Sequence, residues 1–130
     1  DALPISIHQR IANHLAPSSA RWALDASLLV VNLAHIFVED TDWEYSEFAR
    51  YDLGQAVAHM TIQGLVMGLG AHQFRAFDRE AVAREFDVPD EWEVTSMTAL
   101  GAAGGAPDRS TEPAPSRARL SRHEITWVRA

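Results

Sequence analysis

Residues 51–78, YDLGQAVAHMTIQGLVMGLGAHQFRAFD, constrain this chain more than any other stretch. They begin as one helix, opened by Asp52, that is apolar almost all the way round. Leu53, Ala56, Val57, Met60, Gly64 and Met67 form one stripe, and Ile62, Leu65, Val66 and Leu69 fill the opposite side. A helix without a polar face has to be buried on every side. In a small protein it is then either the central helix of the domain or the seam between two subunits. Gly54, Gly64 and Gly68 each cost about 1 kcal/mol in a helix interior. Three such costs predict that another backbone comes close, as in a helix–helix contact or a subunit interface. Gly70 is a good left-handed C-cap, and Ala71–Phe77 reads as a short strand leaving it.

The 130 residues suffice for one domain, and a hydrophobic fraction of 47% supplies a core for it. The chain has no cysteine, which excludes disulfides and thiol chemistry and fits a reducing compartment. All 11 basic residues are Arg, so lysine nucleophiles and Schiff bases are excluded. A net charge of −7 argues against nucleic acid as the main partner. The apolar run Ala26–Val38 is too short to span a membrane, and no basic region precedes an apolar run at the N-terminus. Residues 1–5 do not lead naturally into the helical text after Ser6 and are expected to be a scar. Arg117, Arg119, Arg122 and Arg129 crowd the tail. In an acidic protein such a cluster is either an anion site or a solvated, charged end.

In chain order, Ser6 caps a helix whose face is Ile7, Ile11, His14 and Leu15, and Pro17 is expected to close it. Ser18-Ser19 caps a short turn. Ala26–Ala34 is near-continuously apolar with β-branched residues at its centre, the pattern of a strand buried on both faces in mid-sheet. Residues 38–50 read as a loop and a helical turn, with Trp43, Tyr45 and Phe48 as packing anchors or ligand contacts. Asp78 caps a helix that buries Val82 and Phe86 and ends at Pro89. Trp92–Leu100 alternates and is expected to be a strand. Residues 101–116 read as a flexible loop rich in Gly, Ala, Pro and Ser. Residues 117–130 carry Ile125, Trp127 and Val128, and are expected to dock as a last strand.

Local motifs do not declare an activity. The six His have no metal-ligand spacing, and no HExxH frame, GxSxG elbow or Walker loop is present. His59 reads as a core or interface histidine, and no carboxylate pair stands out. By motifs alone the chain is an α+β domain of undeclared chemistry.

The order of elements says more. Asp52-Leu-Gly-Gln-Ala56, Gly68-Leu-Gly70, His72-Gln-Phe-Arg-Ala-Phe-Asp78, Val88-Pro89 and Arg117-Ala-Arg119-Leu120 occur in sequence. As an ordered set they resemble the C-terminal two thirds of the FMN-dependent nitroreductase superfamily. The resemblance implies one partial domain over 1–130, of α+β class. Its central antiparallel or mixed sheet is flanked by helices, with a long buried central helix, and it is homodimeric through helix 52–69. It implies FMN as cofactor, NAD(P)H as donor, a small aromatic acceptor such as a nitro-aromatic or quinone, and a cytoplasmic enzyme. The flavin carries the hydride chemistry in such an enzyme, so no catalytic side chain or metal is expected. The strip His72, Gln73, Phe74, Arg75 and Ala76 would lie along the ring, its backbone N–H groups at the reactive edge. Arg117 and Arg119 would hold the phosphate. Three departures stand beside this. A basic Arg-x-Ser-x-Arg-type segment of the family's N-terminal portion is missing, Ala76 stands where Gly is frequent, and Arg75 puts a cation near the ring. They leave room for a non-catalytic member that sequesters flavin or serves as a dimerisation module.

Overall fold

A computed structural model of the chain describes residues 6–102 and 120–125. Four helices and three strands succeed one another, α1 (Ile7–Ala12), α2 (Pro17–Ala23), β1 (Leu28–His35), α3 (Ala49–Val66), β2 (Leu69–Phe74), α4 (Arg79–Glu85) and β3 (Trp92–Ala102). A single helical turn, α5 (Arg122–Ile125), lies beyond.

The strands form one antiparallel sheet in the order β1-β3-β2. The central strand is therefore β3, and β1, expected in mid-sheet, lies at an edge. The reason is length and patterning. Eleven residues let β3 pair with both neighbours, and Met97, Thr98, Ala99 and Leu100 are buried one after another. Consecutive burial is what covering on both faces requires. In β1 the burial is broken, with Leu28 half exposed.

Pairing register separates the two faces of the sheet. Leu29 and Val31 of β1 stand beside Ala99 and Met97 of β3, and Phe74 of β2 stands beside Met97. These join Ile11, Ala23, Phe77, Val82 and Val94 in the one apolar core. The core thus lies on the face covered by α1, α2 and α4. The other face carries Asn32, Ser96, Thr98 and Gln73, and α3 crosses it.

That placement corrects the expectation of a central helix buried on every side. Within the single chain only Gly64 of α3 is buried, while Tyr51, Ile62, Leu65 and Val66 are each more than half exposed. The helix touches the sheet by one narrow stripe, and His59 is exposed rather than in a core. Its glycines divide by cause. A Cβ on Gly64 would meet Leu100 Cδ2 at 3.1 Å, so that glycine admits the sheet. A Cβ on Gly54 would meet nothing within 4 Å. Gly68 is outside the helix, at φ +78°, and reverses the chain into β2. The left-handed turn therefore falls at Gly68, two residues before the expected Gly70, and the strand starts at Leu69.

Other caps fall as the residue types dictate. The Ser6 side chain accepts from Gln9 N, and Asp78 Oδ1 accepts from Ala81 N at 2.9 Å. Pro17, expected to close the first helix, instead opens the second at its first turn, where its missing N–H costs nothing. Ser18 and Ser19 lie inside that helix. In the tail, Arg122–Ile125 is helical where a docking strand was expected, and Leu120 and Ile125 are exposed. Ser121 and Glu124 close a local capping box, Ser121 N donating to Glu124 Oε2 at 2.8 Å, which favours a turn over an extended chain. Gly101 and Ala102 complete β3, while 103–119 and 126–130 lie outside the described residues.

Candidate functional site

The strip His72–Ala76 leaves the sheet at its edge. Gln73 pairs with Thr98 and Phe74 with Met97, after which the chain departs from β3. The link between α1 and α2 catches it again. Ala16 N donates to Ala76 O at 3.0 Å, Asp78 N donates to His14 O at 2.9 Å, and Leu15 bridges Phe77. Between these anchors Phe77 N donates to Arg75 O at 3.0 Å, closing a tight turn on Ala76. Among the described residues the N–H groups of Arg75 and Ala76 donate to no backbone acceptor. Two successive backbone donors are thus held at an exposed edge, with their positions fixed from both sides. A pair of this kind can receive a carbonyl or an electron-rich ring atom without moving.

Side chains of the strip alternate across the sheet. His72 and Phe74 turn to the core face and meet Trp22 edge-on, with ring centroids 4.6 and 4.9 Å away. Gln73 turns to the α3 face, where its Nε2 donates to Thr61 Oγ1 at 2.6 Å. The five residues are therefore contiguous, but their side chains do not converge. What they share is a backbone edge. Arg75 and Ala76 are exposed. Arg117 and Arg119 lie outside the described residues.

Trp22 escaped sequence reasoning as a site residue. Its signal is a large aromatic on a seven-residue helix, with 37% of its surface exposed although its ring packs on the strip. Asn32 also escaped, though a polar side chain in the middle of an apolar strand is visible in the sequence. It is buried, and its Nδ2 donates to Thr98 Oγ1 at 2.9 Å and Ser96 Oγ at 3.1 Å. A buried amide with hydroxyl partners is stable where an unpaired one would cost about 1–3 kcal/mol.

Two ion pairs join separate elements. Arg50 grips Glu93 with Nη2 to Oε2 at 2.8 Å and Nε to Oε1 at 3.3 Å. This fork holds the Glu93 carboxyl below the ordinary carboxylate range and raises the Arg50 guanidinium further. Arg10 donates to Glu85 Oε1 at 2.6 Å and to Glu85 O at 2.9 Å, tying α1 to α4, and its guanidinium lies over the Phe86 ring. No group of three metal-ligating side chains occurs among the described residues. No described helix is long and apolar enough to cross a membrane.

No protein-family model matches the chain. An uncharacterized 15.4 kDa protein of Mycolicibacterium smegmatis is 36% identical over 83 residues, 64% of this chain and 54% of its own length. Among solved structures, an oxidoreductase containing FMN is similar at TM-score 0.69 and 22% identity, over 84% of this chain and 55% of its own. A nitroreductase family protein from Clostridium novyi NT matches at TM-score 0.59 and 26% identity, over 73% of this chain and 55% of its own. One from Streptococcus pneumoniae TIGR4 reaches TM-score 0.70 at 12% identity, over 95% and 76% respectively. The chain thus spans about half the length of the curated relative and of the first two of these structures. Matched over most of its length by proteins of this kind, with its antiparallel sheet, the helix that crosses it and the edge strip beyond, the chain has a nitroreductase-like fold.

Proposed function

We propose that the chain is the part of an FMN-dependent oxidoreductase that presents the backbone edge of the flavin site. The pair of N–H groups at Arg75 and Ala76, which meet no backbone acceptor among the described residues, carries this reading, since it sits in a fold shared with an FMN-containing oxidoreductase. When bound, FMN supplies the hydride chemistry, accepting from NAD(P)H and passing to a nitro-aromatic or quinone-like acceptor. The chain's own share is binding and orientation. Arg75 and Ala76 offer donors to the ring edge, and Gln73 and Phe74 extend the same edge along the strand. His72 and Phe74 brace it against Trp22 from behind. Arg117 and Arg119 supply cationic forks suited to a phosphate. The Arg75 side chain adds a positive charge beside a ring that becomes electron-rich, or meets an anionic donor.

The active assembly in this reading is a cytoplasmic homodimer through α3, whose outward stripe is otherwise an apolar surface in water. Titration of the purified protein with FMN tests the reading. The expected outcome is quenching of flavin fluorescence with a shifted visible spectrum, weakened at least tenfold in Arg117→Ala/Arg119→Ala. Free-flavin spectra at every ratio would end it, and unchanged affinity in the double variant would remove the phosphate role.

A second reading has its own support. Ala76 stands at the ring edge where the resembling family often has Gly, and Arg75 puts a cation there, and in this reading the chain holds flavin, or pairs subunits, without turnover. Bound FMN that neither NADH nor NADPH bleaches under anaerobic conditions is the result that selects it.

A further inference from the structure

The helix α3 does not lie flat on the sheet. At Gly64 it comes close to Leu100, while a gap lies between the sheet and the stretch holding Leu53, Val57 and Thr61. The gap is a wedge of about 550 Å³, open at one side, with Leu53 and Val57 of α3 as its apolar wall. Ser96, Thr95, Gln73, Thr61 and Arg50 supply its polar lining. Volumes of this order hold small ligands.

The hydrogen-bond valences of the polar groups can be counted. Thr61 Oγ1 gives its proton to Val57 O at 2.8 Å, so it can only accept from Gln73. That fixes the Gln73 Nε2 on Thr61 and leaves Oε1 as an acceptor. Ser96 Oγ accepts from Asn32 Nδ2, which leaves the Ser96 proton to be donated. Arg50 spends Nε and Nη2 on Glu93, so its charge is balanced while Nη1 has no hydrogen bond among the described residues. The wedge therefore offers the Ser96 hydroxyl, Arg50 Nη1 and the second Gln73 Nε2 hydrogen as donors and Gln73 Oε1 as an acceptor, beside an apolar wall and with no net charge.

We propose that this wedge is a binding site for an uncharged, flat heterocycle carrying a ring amide, a carbonyl next to an N–H. The carbonyl takes the Ser96 hydroxyl proton, with Arg50 Nη1 in support, and the N–H donates to Gln73 Oε1. The ring face lies on Leu53 and Val57. A carboxylate is disfavoured because Glu93 already occupies the Arg50 fork. A plain hydrocarbon is disfavoured because it would bury the Ser96 and Gln73 groups unpaired. The site is distinct from the backbone edge at Arg75 and Ala76. It uses the Gln73 side chain, on the opposite face of the sheet from Trp22.

The probe is 2-quinolone, a bicyclic ring amide, titrated into the ¹⁵N-labelled full chain without flavin and read by NMR. Expected are saturable shifts at the Gln73 side-chain amide and at Ser96, with submillimolar affinity. N-methyl-2-quinolone and the Ser96→Ala variant each bind about tenfold more weakly, as for one lost hydrogen bond. Val57→Trp, on a partly exposed helix position, fills the wedge and abolishes the shifts while amide dispersion stays native. Equal affinity for quinoline, or unchanged affinity in Val57→Trp, overturns the proposal, as does the absence of shifts up to the solubility limit. Displacement of 2-quinolone by FMN overturns it too, by assigning the wedge to the flavin. Because the direct titrations contain no cofactor, their failure leaves the flavin reading to its own test.

Discussion

Arg10 shows how one side chain can join two elements with three kinds of contact. It ion-pairs with Glu85, donates to the Glu85 carbonyl and covers Phe86. The hydrogen bond from Arg10 lowers the Glu85 pKa, with the guanidinium charge and His14 acting in the same direction. A carboxylate whose folded value lies below its unfolded one stabilises the fold above the ordinary carboxylate value, about 4.3. That contribution disappears as pH falls through the lowered folded value. Arg10→Met should therefore reduce the urea midpoint at about pH 6 and narrow the gap between about pH 6 and about pH 3. An unchanged gap would show that acid sensitivity arises elsewhere, for example at Glu93. The Asp78 cap belongs to the same scale. Asp78→Ala removes the acceptor of Ala81 N and should cost about 1 kcal/mol in chemical denaturation.

At the scale of elements, local chemistry was legible and long-range placement was not. Ser6 and Asp78 announce helix starts through their own side chains, and β3 was visible between Pro89 and Gly101. The strand order was hidden, because an apolar run such as Leu28–Leu33 looks the same at an edge as in mid-sheet. The strip His72–Ala76 was singled out only through family resemblance, since backbone groups leave no mark in residue type. Glycine illustrates the limit. Gly54, Gly64 and Gly68 look alike in sequence, yet one faces open space, one admits Leu100 and one takes a left-handed turn. Opposite signs should result. Gly54→Ala should stabilise the single chain by up to about 1 kcal/mol through helix propensity, and Gly68→Ala should destabilise it by about as much. Urea midpoints of the two variants check the pair.

For the whole molecule, the same apolar stripe that predicted burial of α3 remains exposed in one chain. Tyr51, Ile62, Leu65 and Val66 share a surface that a solitary protein does not normally leave in water. In the proposed homodimer a second copy covers it through α3. Leu65→Asp with Val66→Asp should convert the dimer to monomer in sedimentation velocity at micromolar concentration, with far-UV circular dichroism retained. Dimers that persist in the double variant would move the interface off α3.

The sheet order also bears on how the protein behaves at high concentration. With β3 in the middle, β1 and β2 each leave one side of their backbone ladder without a strand partner among the described residues. An open, apolar edge is a template for the next molecule. Concentrated samples should then lose material by lateral growth from β1, a route that blocking α3 would not close. A lysine placed outward on β1 should keep such samples clear.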